Sequence, residues 1–159
     1  MDAKKNKTLD KKNILKRKRT LSRLIAAQTY YQYEFYNEKE DIVKIFNDLV
    51  DNYVMIENEE IQSLRKIIDI DFINNLLEAL RIDIQSIDEE IKKMQKHDLD
   101  NFMIQLVRLG CLELRHNKNI DSKIILDEYV FIGSLFFDKS RLGFLNSIID
   151  NYNKKIRTN

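Results

Sequence analysis

The sequence predicts an all-α protein, and two observations predict it most directly. The chain has no Pro and only three Gly in 159 residues, although the tight turns of a sheet usually use one or the other. Apolar residues instead recur at steps of three and four, which is the spacing of one face of an α-helix. We therefore expect a compact bundle of six or seven helices around one hydrophobic core.

The N-terminal segment differs from the rest of the chain in charge. The first 23 residues contain ten Lys or Arg and two Asp, a net charge of +8, whereas the whole chain carries only +1. Residues 24–159 are therefore net acidic, at −7. Residues 1–15 also have few apolar side chains, so we expect a flexible, mobile basic tail there. We expect residues 16–159 to form a single all-helical domain.

The apolar spacing predicts the helices of the first half in order. Leu24, Ala27, Tyr31 and Phe35 step by 3, 4 and 4, which indicates a first helix. The alternation over 68–72 could indicate a strand, but the longer period there favours helices with a break. The predicted helices are Lys16–Tyr36, Glu40–Tyr53, a stretch over Glu57–Leu80 and a shorter helix over Ile84–Lys96.

The second half of the chain is more regular. Leu99, Phe102, Leu106 and Leu109 step by 3, 4 and 3, which predicts a helix after His97. Asp121 is a suitable N-cap for the next helix, because its carboxylate can accept hydrogen bonds from free backbone N–H groups. A final helix is predicted over Arg141–Lys155.

The single cysteine and the hydropathy pattern bear on the location of the protein. Cys111 lies within an apolar run and is the only Cys, which is typical of a buried thiol in a reducing compartment. The N-terminus is charged where a secretory signal is apolar, and no run approaches the roughly 18 apolar residues of a membrane span. We expect a cytoplasmic protein.

The sequence contains no recognisable catalytic motif. It lacks a Gly-rich phosphate loop, GxSxG and HExxH. Cys111 and His116 lie five residues apart, so a helix would point them about 140° apart, which argues against a nucleophile pair. The other histidine, His97, has only Asp100 at ligand spacing, and we expect no metal site. We therefore predict that the protein is no enzyme and needs no cofactor.

The basic segment is the strongest functional signal. Arg19 and Arg23 lie one helical turn apart, Lys16 is close to Arg23 on the helical wheel, and Tyr30 lies on almost the same stripe as Arg19. Guanidinium groups bind phosphates in a forked geometry, and aromatic rings stack on unpaired bases. We expect nucleic acid to be the partner. The alternative is a solvated tail beside tyrosines that pack in the core, and Tyr31 shares the core face.

Three blocks, in order, resemble the bacterial transcription antitermination factor NusB family. Residues 16–33 (KRKRTLSRLIAAQTYYQY) resemble the family's Arg-rich start and its first helix with Ala, Gln and Tyr. Residues 106–114 (LVRLGCLEL) are similar to its Leu-Arg-x-Ala-x-Tyr-Glu-Leu helix, with Arg108 and Glu113 in register. Residues 125–150, from ILDEY through Phe136 to GFLNSIID, resemble its Ile-Asn-Glu-Ala and Phe-Val-Asn-Gly signature.

The resemblance implies a NusB-like, seven-helix fold and an RNA-binding role in transcription antitermination. It implies pairing with NusE, a ribosomal protein of the small subunit, and binding of the boxA element in nascent rRNA leader transcripts. This pair helps to load the RNA polymerase antitermination complex. By resemblance and basic pattern together, the expected RNA-binding residues are Lys16, Arg17, Lys18, Arg19, Arg23, Gln28 and Phe144.

The chain also departs from the family, and two alternatives stay open. Met103 stands where the family often has an acidic residue near its partner surface, with Asp100 one turn earlier as a substitute, so Asp100 and Met103 mark the expected partner-binding site. Some members of the family dimerise, so a homodimer is compatible with the resemblance. The alternative function is a helical protein-interaction adaptor whose tail binds polyanions without specificity. Phe144 has a core position as its alternative.

Overall fold

The computed structural model describes residues 2–52, 54–57, 60–95 and 98–157, with side chains from residue 18 onward except those of 53–62. Seven helices and one short hairpin form this described part, which confirms the all-α class. The elements are α1 (Asp2–Phe35), α2 (Ile42–Asn52), β1 (Val54–Glu57), β2 (Glu60–Ser63), α3 (Leu64–Ile67), α4 (Ile70–Met94), α5 (Asn101–His116), α6 (Ser122–Ser134) and α7 (Lys139–Arg157).

The first helix is longer than the sequence predicts. Its backbone begins at Asp2 rather than near Lys16, and at 1.5 Å per residue it spans about 50 Å. The division into a tail over residues 1–15 and a domain from residue 16 stays a prediction. After Phe35 the chain turns through Asn37 and Glu38, whose φ angles of 55° and 60° are left-handed and end the helix sharply.

A hairpin replaces the start of the helix expected over Glu57–Leu80. Strands β1 and β2 pair antiparallel, with Val54 opposite Ser63 and Ile56 opposite Ile61. β-branched residues favour extended backbone, and three of them in eight residues outweigh the helical spacing here. The helix expected from Glu57 is therefore corrected to a hairpin followed by the single turn α3.

The break predicted near residues 68–72 is present, and Asp69 causes it. Asp69 is the N-cap of α4, and its carboxylate accepts a hydrogen bond from the backbone N–H of Phe72 at 3.0 Å. Beyond this cap α4 continues without interruption to Met94. The separate helix expected over Ile84–Lys96 is therefore the second half of α4.

Helix α5 lies at the centre of the bundle. It packs against α1, α4, α6 and α7, and its side chains are buried from Gln105 to Leu114 without a break. A helix buried on all sides is the core helix of its domain. Asp100 caps its N-terminus, and Asp121 caps α6 as predicted.

Two glycines allow the helices around α7 to approach closely. A Cβ atom at Gly110 of α5 would lie 2.9 Å from Cδ1 of Ile149, and one at Gly133 of α6 would lie 2.6 Å from Cδ2 of Leu145. Both contacts are shorter than carbon atoms tolerate. These glycines therefore set the distance of α7 from α5 and α6.

None of the helices in the described ranges is long and apolar enough to cross a membrane.

Candidate nucleic-acid interface

Among the α1 side chains that the structure describes, from residue 18 onward, the basic ones that solvent reaches are Lys18 and Arg19. Lys18 is partly exposed, and the side chain of Arg19 is 48% exposed. Six residues after Arg19, α1 contributes Ile25, Ala26 and Ala27 to the apolar core. The basic side of α1 is therefore fixed relative to the bundle by the apolar residues that follow it.

Arg23 has a different environment, although it belongs to the same basic run. It is only 4% exposed. Its Nε and Nη2 atoms donate to the two carboxylate oxygens of Glu113 at 2.8 and 2.9 Å, and the Tyr129 hydroxyl donates to the same carboxylate. The hydrogen bonds of this guanidinium are therefore made inside the protein, and we do not propose Arg23 as a phosphate contact.

The carboxylates around Arg23 hold it in the charged form. Burial opposes that form, but the hydrogen bonds and charge of Glu113, with Tyr129 and Glu128, raise the pKa of Arg23 above its usual range. Glu128 lies 3.5 Å from Nη1 of Arg23 and also accepts a hydrogen bond from the Thr20 hydroxyl at 2.6 Å. This network joins α1 to α5 and α6.

Phe72 of α4 lies beneath both arginines. The guanidinium carbon of Arg19 is 4.2 Å from the ring centroid, and that of Arg23 is 5.2 Å from it. Nε of Arg19 also lies 3.5 Å from the carboxylate of Asp69. Neither α4 residue was among the sequence candidates. In the sequence, the alternation of apolar and acidic residues over 68–72 indicated a break between helices, but it did not indicate a function.

The other predicted RNA contacts are spread over two helices. Gln28 lies in the packed part of α1 and is partly buried. The side chains of Lys16 and Arg17 lie outside the described set, and only their helical backbone is placed. Phe144 is 50% exposed on α7, so it does not occupy the core position that was its alternative. Helix α6 packs against both α1 and α7.

The two predicted partner-binding residues lie at the start of α5. The carboxylate of Asp100 accepts hydrogen bonds from the backbone N–H groups of Phe102 and Met103, and its side chain is exposed. Met103 is 3% exposed and belongs to the core. Its side chain is therefore not available to a partner on this surface, whereas Asp100 is.

An aromatic surface, defined here by Tyr31, Phe102, Phe136 and Phe137, lies beside Asp100. The rings of Phe102 and Phe136 are 4.7 Å apart, and Tyr31 meets Phe102 edge-on at 6.1 Å. Phe136 is exposed. Ile124 and Phe131 of α6 and Leu135, the residue that follows α6, are exposed as well. Sequence reasoning missed this surface because helical spacing alone assigns such residues to a core.

A groove of about 910 Å³ opens between α1, α4 and α5. Arg108 lies in its wall and donates to Asp88 at 2.8 Å, to Glu34 and to Gln105 at 3.1 Å. Burial opposes the charged form, but Asp88 and Glu34 together raise the pKa of Arg108. The groove wall is therefore polar and internally paired.

Among the described residues, Cys111 and His116 have separate surroundings. Cys111 is fully buried and burial raises the pKa of its thiol, while Nε2 of His116 lies 2.5 Å from the carboxylate of Asp83. His97 lies outside the described residues. Within the described ranges no three His, Cys, Asp or Glu side chains form a metal-ligand group.

Comparison with known proteins gives consistent results for this arrangement. The model of the NusB family matches residues 20–154. The transcription antitermination protein NusB of Sphingopyxis alaskensis is 25% identical over 146 residues, which cover 87% of this chain and 94% of that protein. NusB of Nitrobacter hamburgensis is 27% identical over 59 residues, which span only 37% of each chain.

The fold is also similar to a solved structure. NusB of T. maritima superposes with a TM-score of 0.66 and 19% identity, over 86% of this chain and 90% of that one. The family match includes α1 from residue 20, the central helix α5 and the α6–α7 pair. The chain therefore belongs to the NusB family.

Proposed function

We propose that this protein is a non-catalytic transcription antitermination factor that binds boxA-type RNA of rRNA leader transcripts together with NusE. Family membership over residues 20–154 supports a role in transcription antitermination, and the name of the Sphingopyxis relative states transcription antitermination for that protein. The observation that carries the RNA part is the outward guanidinium of Arg19. It is half exposed and held over a ring while its neighbour Arg23 is buried.

RNA binding in this proposal begins with the basic side of α1. Arg19 and Lys18 present positive charge to phosphates, and we keep Arg17 and Lys16, which precede them in the basic run, as predicted contacts. Such contacts position the strand and raise the association rate, but they carry no base preference. The exposed ring of Phe144 supplies a stacking surface for an unpaired base, and we keep Gln28 as a contact of lesser weight because it is partly buried.

Arg23 acts in this proposal as a residue that fixes α1. A buried guanidinium with two carboxylates and a tyrosine hydroxyl around it determines the rotation of α1 relative to α5 and α6. Lys18 and Arg19 therefore point outward in a defined direction before RNA arrives. Preorganised contacts of this kind lower the cost of binding.

The partner surface in this proposal is Asp100 together with the aromatic surface. Exposed aromatic side chains are enriched at protein interfaces and supply most of the affinity there. The rings of Phe102 and Phe136 are in contact at a tilt of 56°, and Phe136 is exposed to solvent. Asp100 adds a negative charge beside them. That charge suits a partner whose contacting surface is basic.

Changing Arg19 to Ala tests the RNA part of the proposal. One charge-assisted contact contributes about 1.5 kcal/mol, so we expect about tenfold weaker binding of a labelled boxA-type RNA. The slope of log Kd against log salt should fall by about 0.7, the value for one phosphate contact on a single strand. Fluorescence anisotropy at two salt concentrations measures both quantities.

Arg81→Ala is the matched control for this experiment. Arg81 is also an exposed arginine in an ion pair, with Glu78 at 2.9 Å, and it lies on α4 about 16 Å along the helix from Ile70. It should leave the affinity and the salt slope unchanged. Equal effects of the two variants would contradict the assignment of Arg19, because binding would then follow net charge alone.

A further inference from the structure

We propose that Asp69 and Phe72, at the start of α4, are positioning residues of the RNA site, and that an RNA phosphate replaces Asp69 as the partner of Arg19. This inference rests on the RNA-binding function proposed above and extends its site from α1 to α4. In it, the Phe72 ring holds the Arg19 guanidinium in place. The Asp69 carboxylate pairs with that guanidinium until an RNA phosphate displaces the carboxylate.

The side chain of Arg19 is held over the Phe72 ring. Its guanidinium carbon lies 4.2 Å from the Phe72 centroid, which is within the range of a cation–π contact. Phe72 itself packs against the core and is partly buried. A long side chain loses rotamer freedom when it binds a ligand, and the ring has already removed part of that freedom from Arg19.

The ion pair between Arg19 and Asp69 is weak. The two charged groups are 3.5 Å apart, and the side chains are 48% and 29% exposed. That distance lies outside the usual range for a charge-assisted hydrogen bond, and an exposed pair of this kind contributes little. Arg19 can therefore change its anionic partner at small cost.

The position of Asp69 does not depend on its ion pair with Arg19. One carboxylate oxygen caps α4 through the Phe72 N–H at 3.0 Å. The backbone N–H of Asp69 donates to the Ser22 hydroxyl at 2.8 Å, and that hydroxyl donates to the Lys18 carbonyl at 2.6 Å. Asp69 thus stays in place, tied to both α4 and α1, when Arg19 leaves it.

Arg23 also lies over the Phe72 ring, but its ion pair with Glu113 is buried and strong. It is one turn further along α1, its carbon is 5.2 Å from the Phe72 centroid, and it makes two short hydrogen bonds to Glu113 in a buried site. The two arginines share a ring but differ in exposure and in pairing. Only the outer one, Arg19, has a guanidinium that solvent reaches and a partner that can be exchanged.

The inference predicts opposite effects for the two α4 residues. Asp69→Asn removes the competing charge and keeps an N-cap side chain, since Asn caps as well as Asp, so boxA-type RNA should bind about two- to fivefold more tightly. Phe72→Leu keeps an apolar side chain but removes the ring, so binding should weaken about two- to fivefold. Phe72→Tyr, which keeps a ring, should restore wild-type affinity.

A double-mutant cycle tests whether Asp69 and Phe72 act through Arg19. In the Arg19→Ala background, Asp69→Asn and Phe72→Leu should each change RNA affinity by less than 1.5-fold, a margin of about 0.2 kcal/mol. Circular dichroism and urea unfolding of every variant show whether the fold is kept. Changes as large in that background as in wild type would overturn the inference, since they would show general repulsion or a structural effect.

The same data separate this inference from the function on which it rests. If the wild-type chain binds neither boxA-type RNA nor its scrambled control, the proposed function fails and the inference with it. If the wild type binds boxA-type RNA and Asp69→Asn leaves or lowers its affinity, only the role of Asp69 and Phe72 is overturned.

Discussion

Arg19 and Arg23 show how strongly the surroundings decide what one residue type does. They are four positions apart in one basic run, yet Arg23 is buried against Glu113 and Arg19 is open to solvent beside Asp69. A buried, bidentate pair is costly to break because it leaves a charge without a partner. An exposed pair is weak. The Arg23–Glu113 pair therefore stabilises the fold, whereas Arg19 is able to bind a ligand.

Changing Glu113 to Ala tests the structural role of Arg23. The change removes both short hydrogen bonds of the guanidinium and the acceptor of the Tyr129 hydroxyl. We expect the free energy of unfolding to fall by about 3–5 kcal/mol, as for a buried ion pair that loses one partner. Urea denaturation followed by circular dichroism measures this loss.

Glu78→Ala is the control for that variant. Glu78 pairs with Arg81 at the exposed surface of α4, and its removal should change the free energy of unfolding by less than about 0.5 kcal/mol. A loss below about 1 kcal/mol for Glu113→Ala would contradict the account, since it would mean that Arg23 finds other partners or water without strain.

At the scale of elements, the packing of α7 rests on residues without side chains. Gly110 and Gly133 face α7 where no Cβ fits, whereas a Cβ at Gly143 would meet nothing within 4 Å. The three glycines of the chain therefore have two different roles. Two allow close helix contact, and the third stands at an exposed position inside a helix.

Replacing these glycines by alanine should have opposite effects on stability. Gly133→Ala pushes against Leu145, which is fully buried, and its Cβ would lie 3.1 Å from Cδ2 of Leu142, so it should lower the free energy of unfolding by about 1–3 kcal/mol. Gly143→Ala adds a better helix former without a clash and should raise it by about 0.5–1 kcal/mol.

Thermal and urea unfolding of both alanine variants check this pair of predictions. The wild-type chain and both variants should show the same far-ultraviolet spectrum, because neither change removes a helix. A stable Gly133→Ala protein would show that α6 and α7 can separate by a few tenths of an ångström without cost, and the proposed role of that glycine would be lost.

For the whole molecule, the sequence predicts the fold better than the site. The regular spacing of α5, α6 and α7 reflects their burial, and Asp121 caps α6 as its position indicates. The hairpin at 54–63 was missed because Ile61 also fits the helical steps of Leu64 and Ile68. Helical spacing is a local property, and the choice between the two conformations depends on what the segment packs against.

The site depends on pairings that no local pattern contains. Glu113 is 90 positions from Arg23, and Asp69 is 50 positions from Arg19. A basic run indicates a polyanion partner, but it does not show which of its members the fold already uses. Met103 is a similar case, because its position in a family motif says nothing about its burial.

Binding of the purified chain to labelled boxA-type RNA and to a scrambled strand tests the proposed RNA selectivity. Binding is measured at two salt concentrations, with and without NusE. We expect tighter binding of the boxA-type strand at both salt concentrations and a further gain when NusE is added. Equal binding of the two strands, lost together at high salt and unaffected by NusE, would contradict this selectivity. The protein would then be a helical adaptor whose basic helix binds polyanions without selectivity.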